Sequence, residues 1–225
     1  MINPDLFQFF NALAENNNKE WFNERKAQYK RLHSEFSEQF REVALEIARF
    51  DPEVRDHINV PATVKVHRIY KDTRFNKGGD PLKTDISGVI GAGKHAPIYY
   101  FRASPGGSLA AGGYYSPDKE ILGAIRQEVA EKHDVLEALL ADERFKAAFP
   151  NGLESSSALK TAPRGFAKDH PAVEYLRLKN YVAFRSLSDA EVTAPTFQDD
   201  LVEMYAAQYE LSRFFAGARR HLTAT

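Results

Sequence analysis

Charged side chains are concentrated in one stretch of the sequence, RIYKDTRFNKGGDPLKTDI, which runs from Arg68 to Ile86. Its guanidinium, ammonium, carboxylate and phenol groups include those of Arg68, Tyr70, Asp72, Arg74 and Lys83. Arginine presents a planar fork of donors that suits phosphate and carboxylate, and lysine adds a point charge. Carboxylate and phenol groups can transfer protons. The stretch therefore predicts an anion-binding site, with Asp72 and Tyr70 as the candidates for proton transfer.

Similar basic groups recur later in the chain, at Arg102, Lys160 and Arg164. We predict that they join the same site as ligand-binding residues. The alternative is structural: Asp72 pairs internally with Arg74 or Arg68 and closes the loops onto the sheet, because ion-pair networks also gather charges.

The overall composition argues against a general polyanion or membrane binder, because 225 residues carry a net charge of only −1. Positive charge is nevertheless concentrated in residues 60–110, which hold eight basic and three acidic residues. A nucleic-acid binder that stacks bases on Tyr70, Phe75, Tyr99 and Tyr100 is therefore an alternative function. The absence of cysteine excludes thiolate chemistry and disulfides.

Other motifs point to no defined chemistry. The run GVIGAGK (88–94) has phosphate-loop spacing, but His95 follows it and a strand pattern comes next, so a glycine loop is the better interpretation. The seven histidines lack metal-ligand spacing, and no nucleophile motif is present, so no metal, cofactor or enzyme class is indicated. The first ten residues lack a basic leader and no apolar run reaches about 18 residues. We therefore expect a cytoplasmic protein without a membrane partner.

Hydrophobic periodicity defines the elements that must position these residues. Helical spacing predicts helices over 4–14 and 19–50, from Ser116-Pro117 onward, over 134–149 and over 196–222. Alternation predicts strands over 62–72, 96–103, 108–115 and 180–187, and the second and third of these form a hairpin. Residues 51–62 have the composition of a connecting loop. Because regular βα alternation is missing, we predict one α+β domain over residues 1–225, with a largely antiparallel sheet flanked by N- and C-terminal helices.

Several segments, in order along most of the chain, resemble one protein family. They are NNNKEWF (16–22), RIYKDTRFNKGGDPLKT (68–84), YYFRASPGGSLAAGGYYSP (99–117) and LKTAPRGFAKDHP (159–171). Together they resemble the bacterial and fungal family of uncharacterised proteins described as domain of unknown function 2461. The chain differs at Leu82, where the family usually has an aromatic residue, and at Tyr115, where tryptophan is common.

The resemblance implies a shared signature but no activity. Its members here are Arg68, Tyr70, Asp72, Arg74, Lys83, Thr84, Lys160 and Arg164. A common location around one pocket would explain why these distant residues belong to one pattern. We therefore predict a basic, aromatic-edged pocket that binds a small phosphate- or carboxylate-bearing ligand and could support enzymatic activity. A non-enzymatic module that binds a protein or a small ligand is the first alternative, and the nucleic-acid binder is the second.

Overall fold

The computed structural model describes residues 2–71 and 80–222. These residues form ten α-helices, five β-strands and one short 3-10 helix. In chain order the elements are α1 (Pro4–Glu15), α2 (Lys19–Glu24), α3 (Lys26–Phe50), α4 (Pro52–His57), β1 (Val64–Val66), β2 (Ile86–Gly91), β3 (Ile98–Ala103), β4 (Ser108–Tyr114), α5 (Lys119–Glu131), α6 (His133–Ala141), α7 (Glu143–Ala148), α8 (Val173–Leu176), β5 (Tyr181–Leu187), α9 (Asp189–Thr193), α10 (Phe197–Ala216) and the 3-10 helix (Gly217–His221).

The five strands form one antiparallel sheet in which each strand pairs with the next along the chain, in the order β1-β2-β3-β4-β5. In the first pair Val64 lies opposite Ile90 and Val66 lies opposite Gly88. Helices precede and follow these strands. The predicted α+β class with a largely antiparallel sheet is therefore confirmed.

Two compact units can be distinguished in the chain, and each is described by itself. Unit 1 comprises Met1–Ile90, Tyr100–Ala110 and Ser186–Val202, and unit 2 comprises Gly91–Tyr99, Ala111–Arg185 and Glu203–Thr225. The single domain over residues 1–225 stays a prediction. In the described part of the chain, no helix combines the length and the hydrophobicity required to cross a membrane.

The core of unit 1 forms between α3 and one face of the sheet. The predicted apolar stripe of α3 is buried, and the Phe36 ring lies 6.0 Å from the ring of Phe101 in β3. Phe101 also contacts Phe197 at the start of α10, with ring centroids 5.2 Å apart. Burial of such large aromatic side chains is the main favourable term in folding.

The predicted helix over 19–50 is wrong as one continuous element, because it is interrupted at Arg25. Arg25 has φ −108° and ψ 10° and lies between α2 and α3. Its guanidinium stacks over the Trp21 ring, 4.4 Å from the ring centroid, and donates to the Trp21 carbonyl. These local contacts stabilise the break, and periodicity alone does not reveal them.

Two further segments were assigned wrongly as loops. Asp51 accepts hydrogen bonds from the backbone N–H groups of Glu53 and Val54, and with Pro52 in the first turn it starts α4. The supposed glycine loop contains strand β2, in which Gly88 faces the ring of Phe40. A Cβ atom at Gly88 would lie 2.4 Å from that ring, so this glycine allows close packing of strand on helix.

Unit 2 has its own aromatic core. Tyr99 contacts Tyr205 and Tyr181 contacts Phe215, each pair with ring centroids 5.2 Å apart. The Tyr181 hydroxyl donates to the Tyr175 carbonyl at 2.9 Å, which satisfies a polar group inside the core.

Helix boundaries in unit 2 differ from the predicted ones because of capping. Asp118, and not Ser116, caps α5 and accepts from two backbone N–H groups of its first turn. Ser116 has φ +49° and its N–H donates to Asn180 Oδ1. Asp142 caps α7 and so divides the helix predicted over 134–149. The predicted C-terminal helix changes to a 3-10 helix after Ala216.

Candidate functional site

The sheet presents two different faces in unit 1. Gly88 and Phe101 lie on the inner face, where they contact Phe40 and Phe36 of α3. Successive side chains along a strand point to opposite faces. The opposite face, called the outer face here, is therefore defined by the alternating positions Lys65, His67, Ser87, Tyr100 and Arg102. Four of these side chains are exposed or half-buried, and Ser87 is buried.

His67 contacts two neighbouring strands on the outer face. Its backbone N–H donates to the Ser87 carbonyl at 2.8 Å, which extends the β1–β2 pairing by one residue. Its ring Nδ1 lies 3.0 Å from Ser87 Oγ, and its ring centroid lies 6.3 Å from that of Tyr100. Side chains from three neighbouring strand segments therefore contact one another at His67.

Beside His67 the pairing between the two strands is interrupted. The backbone of His67 pairs with Ser87, but Tyr70 pairs with Leu82, so two residues on one strand face four on the other. Lys83 is still paired, because its N–H donates to the Ile69 carbonyl at 2.8 Å, so the bulge contains Thr84 and Asp85; all three side chains are half-buried. Bulges change the direction of side chains and are common near functional sites.

An asparagine from the N-terminal helices holds this bulge in position. Asn17, between α1 and α2, donates from Nδ2 to the Leu82 carbonyl at 3.0 Å. Its Oδ1 accepts from the Leu82 N–H at 3.1 Å. This two-way pairing reproduces the hydrogen bonds of a neighbouring strand. It fixes the position of the backbone next to Lys83.

The electrostatics around His67 are dominated by burial and by nearby charges. Burial lowers the pKa of His67, and the positive charges of Lys83 and Lys65 lower it further, whereas Asp85 opposes this shift. The imidazole is therefore held in its neutral form near pH 7. A neutral imidazole can accept a proton.

Tyr70 belongs to an aromatic group that contacts the N-terminal helices. Its ring meets Phe22 of α2 edge-to-face, with centroids 5.9 Å apart, and Phe22 lies 5.4 Å from Tyr29 of α3. Burial raises the pKa of Tyr29, and the nearby Tyr70 and Asp85 raise it further. The Tyr29 phenol therefore stays protonated and can donate a hydrogen bond.

The remaining predicted site residues have different environments. Arg68 is exposed in unit 1, and Lys160 and Arg164 are exposed in unit 2. Arg102 donates from Nη2 to the Gly107 carbonyl at 2.9 Å, while its Nε is buried without a hydrogen-bond partner among the described residues. Asp72 and Arg74, like Phe75, lie outside the described residues. The structure thus brings Lys83 near His67 and brings Tyr70 near Tyr29.

The described arginines of the predicted site, Arg68, Arg102 and Arg164, differ from most other described arginines in their partners. Within residues 2–71 and 80–222, no carboxylate lies within ion-pair distance of Arg68, Lys83, Arg102, Lys160 or Arg164. Eight arginines elsewhere do form ion pairs: Arg25, Arg31, Arg49, Arg55, Arg144, Arg177, Arg213 and Arg220. The alternative, in which Asp72 pairs with Arg74 or Arg68, depends on residues outside the described part of the chain and stays open.

A family comparison agrees with the sequence pattern. The family model described as Conserved hypothetical protein (DUF2461) matches residues 5–214. The chain belongs to this family. The resemblance inferred from the sequence segments is thus confirmed, and residues 68–84, 102, 160 and 164 all lie inside the matched region of the DUF2461 family. No curated protein and no solved structure matched the chain.

In this DUF2461 member, four residues near the site were not selected from the sequence. They are Tyr29, His67, Asp85 and Ser87. The alternating segment VKVHRIY does contain the signal for His67, because it places His67 on the same face as Lys65. Tyr29 has the spacing of a core residue, so only its neighbours in the structure connect it with the site.

Two groups of acids with a histidine have metal-like geometry but unfavourable electrostatics. In the first, His95 Nε2 lies 2.8 Å from Asp118 Oδ2 near Glu120, at the N-terminus of α5, where the helix dipole disfavours cations. In the second, Glu128 is paired with Arg220 at 2.6 Å and with Lys132 at 3.1 Å. Existing cations therefore occupy the place that a metal ion would take.

An apolar hollow in unit 1 is distinct from the basic groups. It is lined mainly by aromatic and aliphatic side chains, including Phe36, Phe40 and Leu201, with Gln39 and Gln198 as its polar members. It contains no charged side chain and none of the predicted site residues. This hollow therefore lacks the groups needed to bind an anion.

Proposed function

We propose that this chain binds a small phosphate- or carboxylate-bearing ligand on the outer face of unit 1, with Lys83 and Arg102 as its main binding residues. The observation that carries the proposal is that Lys65, Lys83 and Arg102 have no carboxylate partner in the described part of the chain. Lysine and arginine without counter-charges leave a positive potential that attracts anions. Arg102 is half-buried, and of the five N–H donors of its guanidinium one at Nη2 donates to the Gly107 carbonyl, which leaves others for a ligand oxygen.

The other predicted site residues keep the roles that the sequence indicated. Arg68 and Thr84 are proposed as further binders on unit 1. Arg74, which lies outside the described residues, and Lys160 and Arg164, which lie in unit 2, stay predicted ligand-binding residues without a place at this face. Asp72 and Tyr70 remain candidates for proton transfer. A non-enzymatic binding module satisfies all these observations equally well, so the proposal is for binding. On composition, we propose a cytoplasmic location.

Thermal unfolding with added anions tests the proposal. Phosphate and sulfate at about 100 times their dissociation constant are expected to raise the melting temperature of the wild type by about 5–10 °C, because they bind only the folded state. Lys83→Met keeps the aliphatic stem and removes the charge, so it should lose most of this shift. Lys146→Met is the matched control, because Lys146 is exposed on α7 of unit 2 and has no ion pair with a described residue.

The outcome of these measurements separates the candidate functions. Equal anion shifts in the wild type and in Lys83→Met would contradict a site at Lys83. Binding of single-stranded oligonucleotides that weakens steeply with salt would instead favour nucleic acid. One argument for nucleic acid is weaker than the sequence indicated, because Tyr99 is buried against Tyr205 and so is not available for base stacking.

A further inference from the structure

His67 occupies a fixed position in the outer face. Its backbone is paired with Ser87 and its Nδ1 lies 3.0 Å from Ser87 Oγ, a group on a strand residue that is only 4% exposed. A hydrogen bond at Nδ1 restricts rotation of the ring and selects which nitrogen remains available. In an imidazole the Nε2 atom lies on the opposite edge of the ring, so it is directed away from Ser87.

The second nitrogen of His67 has no partner among the residues that the structure describes. Nδ1 can donate its proton to Ser87 Oγ, because a hydroxyl oxygen accepts as well as donates. In that tautomer Nε2 carries a lone pair. The half-buried ring therefore presents a base at the outer face, beside the Tyr100 ring.

The charged groups around His67 come from each neighbouring segment. Lys65 lies on its own strand, Lys83 is paired with Ile69 beside the bulge, Asp85 lies in the bulge, and Tyr100 lies on β3. The two lysines disfavour the imidazolium and Asp85 favours it. An anion bound at Lys83 would cancel part of the repulsion and so would make His67 a stronger base when the ligand is present.

We propose that His67 is the proton-transfer residue of the outer-face site and that Ser87 is its positioning residue. This inference rests on the proposed function, because it requires an anion at Lys83. The ligand class is an oxyanion that carries an acidic O–H or C–H bond next to the charged group. In the step, the ligand's X–H bond breaks and an N–H bond forms at Nε2. The electron pair stays on X, and Lys83, whose charge acts on His67, stabilises the added negative charge.

Histidine NMR of the full chain tests this inference, with sulfate as the probe because its charge stays constant during the titration. The His67 signal is assigned among seven histidines by its loss in His67→Gln. We expect the neutral ring to carry its proton on Nδ1, as read from the ¹⁵N shifts. We expect sulfate to raise the pKa of His67 in the wild type but not in Lys83→Met.

Each result supports the inference or overturns it. Sulfate-induced shifts elsewhere on the outer face with an unchanged pKa of His67 would overturn proton transfer by His67 and leave anion binding intact. The absence of any sulfate-induced change in the spectrum would overturn both proposals. A neutral ring protonated mainly on Nε2 would also overturn the inference, because the outward nitrogen would then lack a lone pair.

The positioning role of Ser87 has its own measurement. Ser87→Ala removes the hydroxyl at Nδ1, and the ¹⁵N shifts of His67 should move toward a mixture of tautomers. Sulfate binding at Lys83 should persist in this variant. Unchanged ¹⁵N shifts in Ser87→Ala would contradict the positioning role, because a serine that serves only packing would not affect the tautomer.

Discussion

At the scale of single residues, a side chain's partners decide whether its charge is available. Lys83 and Arg102 have no described carboxylate at ion-pair distance, whereas Arg177 forms one with Glu174 at 2.9 Å. Exposed ion pairs contribute little to stability, typically about 0–1 kcal/mol. The presence or absence of an exposed ion pair is therefore more informative about ligand binding than about stability.

Glu154 shows the opposite case, because its carboxylate accepts hydrogen bonds from several neighbouring side chains. Hydrogen bonds from Ser156, Asn180 and Ser157 lower the pKa of Glu154 to about 2, against a partial opposing effect of burial. We expect Glu154→Gln to lower the free energy of unfolding at pH 7 by about 1 kcal/mol, after allowance for solvent screening.

The pH dependence of this effect has a definite sign. The folded pKa of Glu154 lies below its usual value of 4.5, so its stabilisation is complete above that value and is lost as the pH falls toward about 2. Urea unfolding at several pH values should show the wild type and Glu154→Gln converging over this range. Glu15→Gln, at an exposed glutamate without a described ion pair, is the control. A constant difference down to pH 2 would contradict the assignment.

At the scale of elements, close packing of β2 on α3 determines where the sheet can lie. Gly88 leaves no space for a side chain, because a Cβ atom would lie within 2.4–2.9 Å of three atoms of the Phe40 ring. The Phe40 ring is itself buried and stacked on Phe36 at 5.8 Å. It therefore has little freedom to move aside.

Gly88→Ala should consequently be destabilising. We expect a loss of about 1–3 kcal/mol in the free energy of unfolding, measured by urea denaturation, because the added methyl group overfills the interface. Gly123→Ala is the matched control, since Gly123 lies in α5 with open space around its Cβ position. The control should gain about 0.5–1 kcal/mol from helix propensity. A neutral Gly88→Ala would mean that residues 88–94 form a loop after all.

At the scale of the whole molecule, residues near both ends of the described chain form contacts with residues distant in sequence. The Ile2 N–H donates to the Val192 carbonyl at 2.9 Å in unit 1. In unit 2 the buried Glu128 of α5 pairs with Arg220 at 2.6 Å and with His221 at 3.0 Å. These interactions connect residues that are far apart in sequence and so stabilise only the complete fold.

Glu128→Gln should therefore have a large effect on stability. Loss of the buried carboxylate leaves Lys132 without its counter-charge and leaves Arg220 and His221 with only the exposed Glu131, and we expect a cost of about 2–4 kcal/mol by urea denaturation. Glu210→Gln is the control, because Glu210 pairs with Arg213 on an exposed helix face. The control should change stability by less than about 0.5 kcal/mol. Similar values for both variants would show that the Glu128 network is not structurally important.

The local features of this protein followed from its sequence because they depend on neighbouring residues. The apolar stripe of α3, the hairpin of β3 and β4 and the cap of α1 at Asn3 all reflect periodicity or capping within a few residues. The α+β class and the family followed from the order of such segments. The basic character of the site was also visible, because charge is a property of composition.

Only the tertiary structure decided which residues meet. The contact of His67 with Ser87 and Tyr100, the bulge held by Asn17, and the strand at Gly88 all depend on residues at least 20 positions apart in sequence. Pairing register and packing across the sheet determine these contacts, and neither has a local periodicity. For this reason the sequence alone indicated an anion site with Tyr70 and Asp72 as candidates for proton transfer, and the proposed role of His67 could be inferred only from the tertiary arrangement.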